Sequence, residues 1–172
     1  QEAVDRLCAA VAEAGHAAAA DLARLAVEET GFGCAESKAE KNRFATREVW
    51  RSIRDLKTVG LVRSDEAARV HEYASPMGVV AAVIPVTNPT STALFKILIS
   101  LKGVNAIVLS PHPRAARCIA AAAEACRGAL GAQAGLIQCL SAPTLAATEA
   151  LMRDPGIAMI LARQSGDLLD DA

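Results

Sequence analysis

From residue 78 to residue 162, apolar runs of strand length alternate with helical patterns, and no other feature limits the possible folds so tightly. "GVVAAVIP" is apolar along its whole length, as a strand covered on both faces must be. "STALFKILISLKG" predicts a helix, "NAIVLSP" a strand, "RAARCIAAAAEACRGALGA" a long helix, "GLIQCLS" a strand, "TLAATEALMRD" a helix and "IAMILA" a strand. Strands alternating with helices of this length pair in parallel through right-handed crossovers.

The fold class that follows is α/β: N-terminal helices and then a partial doubly wound, Rossmann-like parallel sheet with four strands. In such a sheet the strands lie in the order third, second, first, fourth, and ligands sit outside their carboxyl ends where the order switches. The switch flanks the first strand, whose following turn is "PVTNPTS". Thr87 and Asn88 are thereby placed beside a ligand crevice. The glycine-rich GxGxxG turn of simple dinucleotide binders does not follow this strand.

An Asn in that turn offers two N–H donors and one acceptor, with Pro85 and Pro89 restricting the backbone around it. A held amide can donate to an oxygen that becomes negative during reaction. The alternative is a turn Asn beside a Ser/Thr cap for the next helix, supplied by Thr90, Ser91 or Thr92. Lys96 falls among Leu94, Phe95, Leu98 and Ile99. Its ammonium requires either a polar cleft or a path to the surface.

Upstream, residues 2–30 read as one amphipathic helix or a broken pair, with Val4, Leu7, Val11, Leu22 and Leu25 at helical spacing and a break near Gly15. Gly31 suits a left-handed cap. A charged helix from about Ser37 to Asp55 carries Phe44, Val49, Trp50 and Ile53 as its apolar stripe, and its charges read as a solvated face. "RVHEYASPMG" reads as an extended arm. The domain reading is thus residues 1–77 helical region and arm, 78–162 first part of a cofactor domain, and 163–172 an acidic, divergent tail.

Composition narrows the function. With 172 residues, 52% apolar and a net charge of −1, the chain can bury one core but projects no field toward nucleic acid or anionic lipid. The longest apolar stretch is shorter than the roughly 20 residues of a membrane helix, and the start lacks signal-peptide order. A cytoplasmic protein without nucleic-acid or membrane partners is expected. The 5 cysteines are odd in number and form no CxxC pair, so reduced thiols are expected and no metal site. His16 and His71 have no second ligand or nucleophile at a readable spacing.

"GVVAAVIPVTNPTSTALFKILISLKGVNAIVLSPHPRA" closely resembles the cofactor-domain core of CoA-acylating aldehyde dehydrogenases, especially the acetaldehyde dehydrogenase half of bifunctional aldehyde/alcohol dehydrogenases. "KNRFA" (41–45), "LKTVG" (56–60) and "ALMRDPGIAMILA" (150–162) extend the likeness. The resemblance implies oxidation of a small aldehyde through a cysteine thioester, with hydride passing to NAD and the acyl group to coenzyme A. By that likeness Asn88 supplies the oxyanion contact and Lys96 an electrostatic partner. Ile84, Pro85, Val86 and Thr87 border the cofactor, and Ser110, His112 and Pro113 meet its adenosine ribose.

In the family the nucleophilic cysteine belongs to a later segment, and none of the five cysteines here matches it. The likeness breaks at residue 163, so a truncated or divergent piece, inactive by itself, is expected. A bare fourth strand and the family's arm contacts imply a homo-oligomer. Acetaldehyde is the favoured substrate, with sulfoacetaldehyde or another short aldehyde as the alternative. A different class also remains open: an inactive truncated homologue serving as a nucleotide-binding or subunit-pairing module.

Overall fold

In the computed structural model, residues 1–162 are described; the predicted tail, 163–172, lies outside them. Two helices, α1 (Glu2–Ala17) and α2 (Ala19–Thr30), open the chain. The break falls at Ala18 and not at the predicted Gly15, which is buried inside α1. A Cβ on Gly15 would lie 2.8 Å from both Leu94 Cδ2 and Thr46 Cγ2. That glycine serves close packing rather than a bend. Gly31 does end α2 in the left-handed conformation, φ 70°, its N–H donating to Val27 O.

The predicted charged helix is divided into α3 (Ala35–Arg43), one widened π turn (Phe44–Glu48) and α4 (Val49–Ile53). Thr46 Oγ1 donates to Asn42 O at 2.9 Å within this bend, and side-chain bonding of this kind commonly accompanies helix distortion. Phe44, expected on the buried stripe, is 63% exposed. Val49, Trp50 and Ile53 do pack on the core. The expected arm is half of an antiparallel hairpin, β1 (Gly60–Asp65) with β2 (Val70–Ala74), whose first strand the charged "VRSD" pattern disguised.

The main sheet holds β3 (Val79–Ile84), β4 (Ala106–Pro111), β5 (Ile137–Cys139) and β6 (Ile157–Leu161), all parallel, in the order β5-β4-β3-β6. This is the order expected. Crossover helices α5 (Pro89–Lys102) and α6 (Ala116–Gly128) pack on one face together with α1 and α2. Ile84, Ile107 and Leu109 point into that layer with 1% exposure or less. The return helix, α7 (Leu145–Arg153), takes the other face. No helix of the described residues is long and apolar enough to cross a membrane.

N-terminal anchoring is polar. Lys102 is buried at the end of α5, where Nζ donates to Asp5 Oδ1 at 2.6 Å and Arg54 O at 2.7 Å and lies 5.6 Å from the centre of the Trp50 ring. A buried ammonium is tolerable only when so satisfied. The bond from Lys102 holds the Asp5 carboxyl below the usual carboxylate range, although burial works against it.

Candidate functional site

The turn after β3 is fixed from three sides. Pro85 and Pro89 restrict it within the chain, and Pro89 starts α5, where a missing N–H costs nothing. Asn88 occupies the position before that helix with φ −134° and ψ 62°, and its carbonyl accepts from Thr92 N at 3.2 Å. From outside, α3 grips the turn: Lys38 Nζ donates to Thr87 O at 2.9 Å, and Lys41 Nζ donates to Asn88 Oδ1 at 3.0 Å. The site uses long-range cations where a local helix cap was the alternative.

Lys38 is 5% exposed and Asn42 is fully buried, so the solvated-face reading of this helix fails at those positions. Burial, followed by the charge of Lys41, lowers the pKa of Lys38 from its ordinary value. Asn42 Nδ2 donates to Ala19 O and its Oδ1 accepts from Thr90 Oγ1, each at 2.9 Å. The amide thereby ties α2, α3 and α5 together and carries the two lysines to the turn.

Beside the turn lies a cleft of about 610 Å³ whose lining includes Lys41, Phe44, Asn88, Phe95, Lys96 and Leu161. Lys96, 5% exposed, donates from Nζ to Val83 O at 2.7 Å and Leu161 O at 2.6 Å. It therefore bridges the carboxyl ends of β3 and β6 at the switch in strand order. Of the two expected alternatives, it takes the polar one. No carboxylate and no cysteine lines this cleft among the described residues. Such a cleft suits an electron-rich oxygen: Asn88 offers Nδ2–H donors, and two ammonium groups supply positive potential between two phenylalanines.

The structure thus brings Asn88 and Lys96 into one cleft. Pro85 and Val86 are half-buried and Thr87 is exposed along the adjoining turn. His112 is half-buried, its N–H donating to Ile84 O at 3.0 Å and its Nδ1 accepting from Arg114 N at 3.1 Å. That leaves Nε2 to carry the ring proton. Pro113 is exposed beside it.

Two expected cofactor neighbours are placed differently. Ser110 is 1% exposed, and its hydroxyl pairs with Thr148 Oγ1 at 2.7 Å. Ile84 is a core side chain, also 1% exposed, whose carbonyl is taken by His112. Both face inward because alternate residues of a covered strand must. Lys38, Lys41, Asn42, Phe44 and Phe95 were missed as site residues. "KNRFA" was the available signal for three of them, but nothing local in it tells which side chains reach a turn more than 40 residues away.

Residues 3–165 match the model of the aldehyde dehydrogenase family. The bifunctional aldehyde-alcohol dehydrogenase AdhE of Escherichia coli strain K12 is 42% identical over 165 residues, covering 94% of this chain and 18% of that protein. An acylating sulfoacetaldehyde dehydrogenase of Bilophila wadsworthia strain 3_1_6 is 37% identical, covering 98% of this chain and 37% of that protein. Among solved structures, an acetylating aldehyde dehydrogenase from Geobacillus thermoglucosidasius superposes with a TM-score of 0.90 at 50% identity, covering 92% of this chain and 36% of that one. The chain therefore spans well under half the length of the relatives it matches.

Proposed function

Because the chain belongs to the aldehyde dehydrogenase family, we propose that it is the N-terminal cofactor-domain portion of an NAD-dependent, CoA-acylating aldehyde dehydrogenase. The reaction converts aldehyde, NAD and coenzyme A to acyl-CoA and NADH, with acetaldehyde favoured. The observation that carries this reading is the Asn88 amide, held by Lys41 beside a cleft at the end of β3 whose described lining has no carboxylate. The names of the acetylating and acylating relatives support the same chemistry.

In this reading Asn88 Nδ2 donates to the aldehyde oxygen as a nucleophile adds and the oxygen gains negative charge. A donor so placed contributes roughly 10²–10³ in rate. Lys96, fixed on two strand-end carbonyls, holds the ends of β3 and β6 together at the floor of the turn. Phe44 and Phe95 form apolar walls of the cleft, although both remain open to solvent in the described residues. NAD, when bound, supplies the hydride acceptor. The exposed Thr87 turn and the free Nε2–H of His112 suit it, the latter as a donor to a ribose hydroxyl, whereas the buried Ser110 and Ile84 side chains do not.

The nucleophilic thiol of this reading belongs to a segment outside the described residues, so these residues bind and position. The absence of a cysteine from the described cleft lining also favours the second reading, an inactive nucleotide-binding or subunit-pairing module. Homo-oligomer formation is supported by the hairpin, where Val70 is 48% and Tyr73 68% exposed. Sulfoacetaldehyde or another short aldehyde is the alternative substrate, supported by the Bilophila relative. A cytoplasmic setting accords with the five free cysteines.

The test is a calorimetric titration of NAD and of coenzyme A into the purified chain. Saturable NAD binding that weakens on His112→Ala is expected, with no CoA-dependent NAD reduction. A folded chain that binds neither ligand removes the cofactor assignment. Turnover by the 172-residue chain would instead force one of its own cysteines into the nucleophile's role.

A further inference from the structure

At the head of α5 the Asn88 side chain could turn back onto the helix, as capping asparagines do. It makes no such bond. Its Oδ1 instead accepts from Lys41 Nζ, across 47 residues of sequence. An ammonium has only donors, so this contact fixes which end of the amide is oxygen and leaves the NH₂ end for an acceptor in the cleft.

The contact also has an electronic effect. A cation on the carbonyl oxygen draws density from the amide nitrogen and strengthens its N–H groups as donors. Lys38, one turn earlier on α3, holds the Thr87 carbonyl, so backbone and side chain of the turn are secured separately. No carboxylate of the described residues forms an ion pair with Lys41 that would draw it away. The contact is exposed and ties α3 to the turn, where a local cap would have tied Asn88 only to its own helix.

Resting on the reading proposed above, we infer that Lys41 is a positioning residue: through Oδ1 it sets the orientation of the Asn88 amide and strengthens Nδ2 as the donor to a substrate oxyanion. The reactive oxygen touches Asn88, and Lys41 acts on it only through that amide.

The experiment is nuclear magnetic resonance on the ¹⁵N-labelled chain, with the Asn88 NH₂ pair assigned by its loss in Asn88→Ser. In the unaltered chain the pair should be displaced downfield, and rotation about the amide C–N bond should be slow, because a cation on oxygen increases its double-bond character. Lys41→Met should abolish both effects and Lys41→Arg should retain them. Lys41→Gln, which can donate without charge, should keep the orientation and speed the rotation. A structural role alone would move backbone signals of α3 and the turn and leave NH₂ rotation unchanged.

Unchanged NH₂ shifts and rotation in a folded Lys41→Met chain overturn the inference. If that variant does not fold, unchanged rotation in Lys41→Gln overturns it equally. No substrate or cofactor enters this measurement, so its outcome is independent of the NAD titration. An amide that responds to Lys41 in a chain that binds no NAD keeps the grip and removes the cofactor assignment. An amide blind to Lys41 in a chain that binds NAD does the reverse.

Discussion

The two faces of the main sheet are made by the same strands, yet only one is a core. On the face beneath α5 and α6, Ile107 and Leu109 are fully buried and pack with Leu94, Ile97 and Ile119. On the other face α7 has no buried residue, Val108 is half-buried and Ile160 is 45% exposed. The strand sequences lean the same way, since Ile107, Leu109 and Ile137 face the covered side whereas Ser110 and Gln138 fall on the other. The described residues cover one face fully and the other in part, where Ala81 and Ser110 are buried and Ser110 pairs with Thr148 of α7.

Thiol chemistry offers the largest contrast. Burial pushes Cys126 on α6 up to about 12, and burial together with Glu29 does the same to Cys118. At pH 8 their thiolate fraction is about a thousandfold below that of an ordinary thiol. Timed labelling with a chromogenic disulfide should modify exposed Cys34 rapidly and leave these two intact until denaturant is added. Rapid loss of all five thiols in the folded chain would mean that the covered face opens readily.

Next in size is a pair of truncations. Leu109→Ala should cost about 2–5 kcal/mol in urea unfolding, because it leaves a cavity beneath fixed helices. Ile160→Ala should fall within about 0.5 kcal/mol, as surface changes do. Equal costs would break the comparison by showing that the open face is covered in solution.

The smallest effect is the pH dependence at the N-terminal anchor. Lys102 depresses the Asp5 carboxyl in the folded state, so the stabilisation is present above the unfolded pKa, near 4, and is lost as pH falls through the lower folded value. Asp5→Asn should flatten that part of the stability profile below pH 5 and leave the profile above pH 5 parallel to the unaltered chain. A profile equally steep in both proteins would place the acid sensitivity at other carboxylates.

The same contrast explains how much could be read in advance. The four strands and their helices are legible because burial of the covered face imposes periods of 2 and 3.6 on the residues themselves. Their order follows from the doubly wound topology, and the handedness of the crossovers sets which face each helix takes. Asn88 is legible as a polar side chain in the turn at a topological switch, and Lys96 as a lone cation among apolar helix residues. Lys38 and Lys41 are not, since a lysine that bonds a distant carbonyl has the same local pattern as one in water. Gly15 misled for a similar reason: its role depends on Leu94 and Thr46, which only the folded chain brings near. Strand β1 was obscured because both faces of the hairpin are open, so burial imposed no alternation on it.

Strand order also sets a schedule. Val79 pairs with Ala106 on one side and with Ile157 on the other, intervals of 27 and 78 residues along the chain. Closing the longer interval costs about 0.9 kcal/mol more in loop entropy, so β3 and β4 join first. At synthesis rates of about 5–20 residues per second, Ile157 emerges roughly 3–10 s after Ala106. For that time β3, the most apolar strand, presents an unpaired edge to any neighbouring chain. The risk of mispairing is thus a duration fixed by the ribosome, and a slower or faster messenger would change it without altering a single contact in the finished fold.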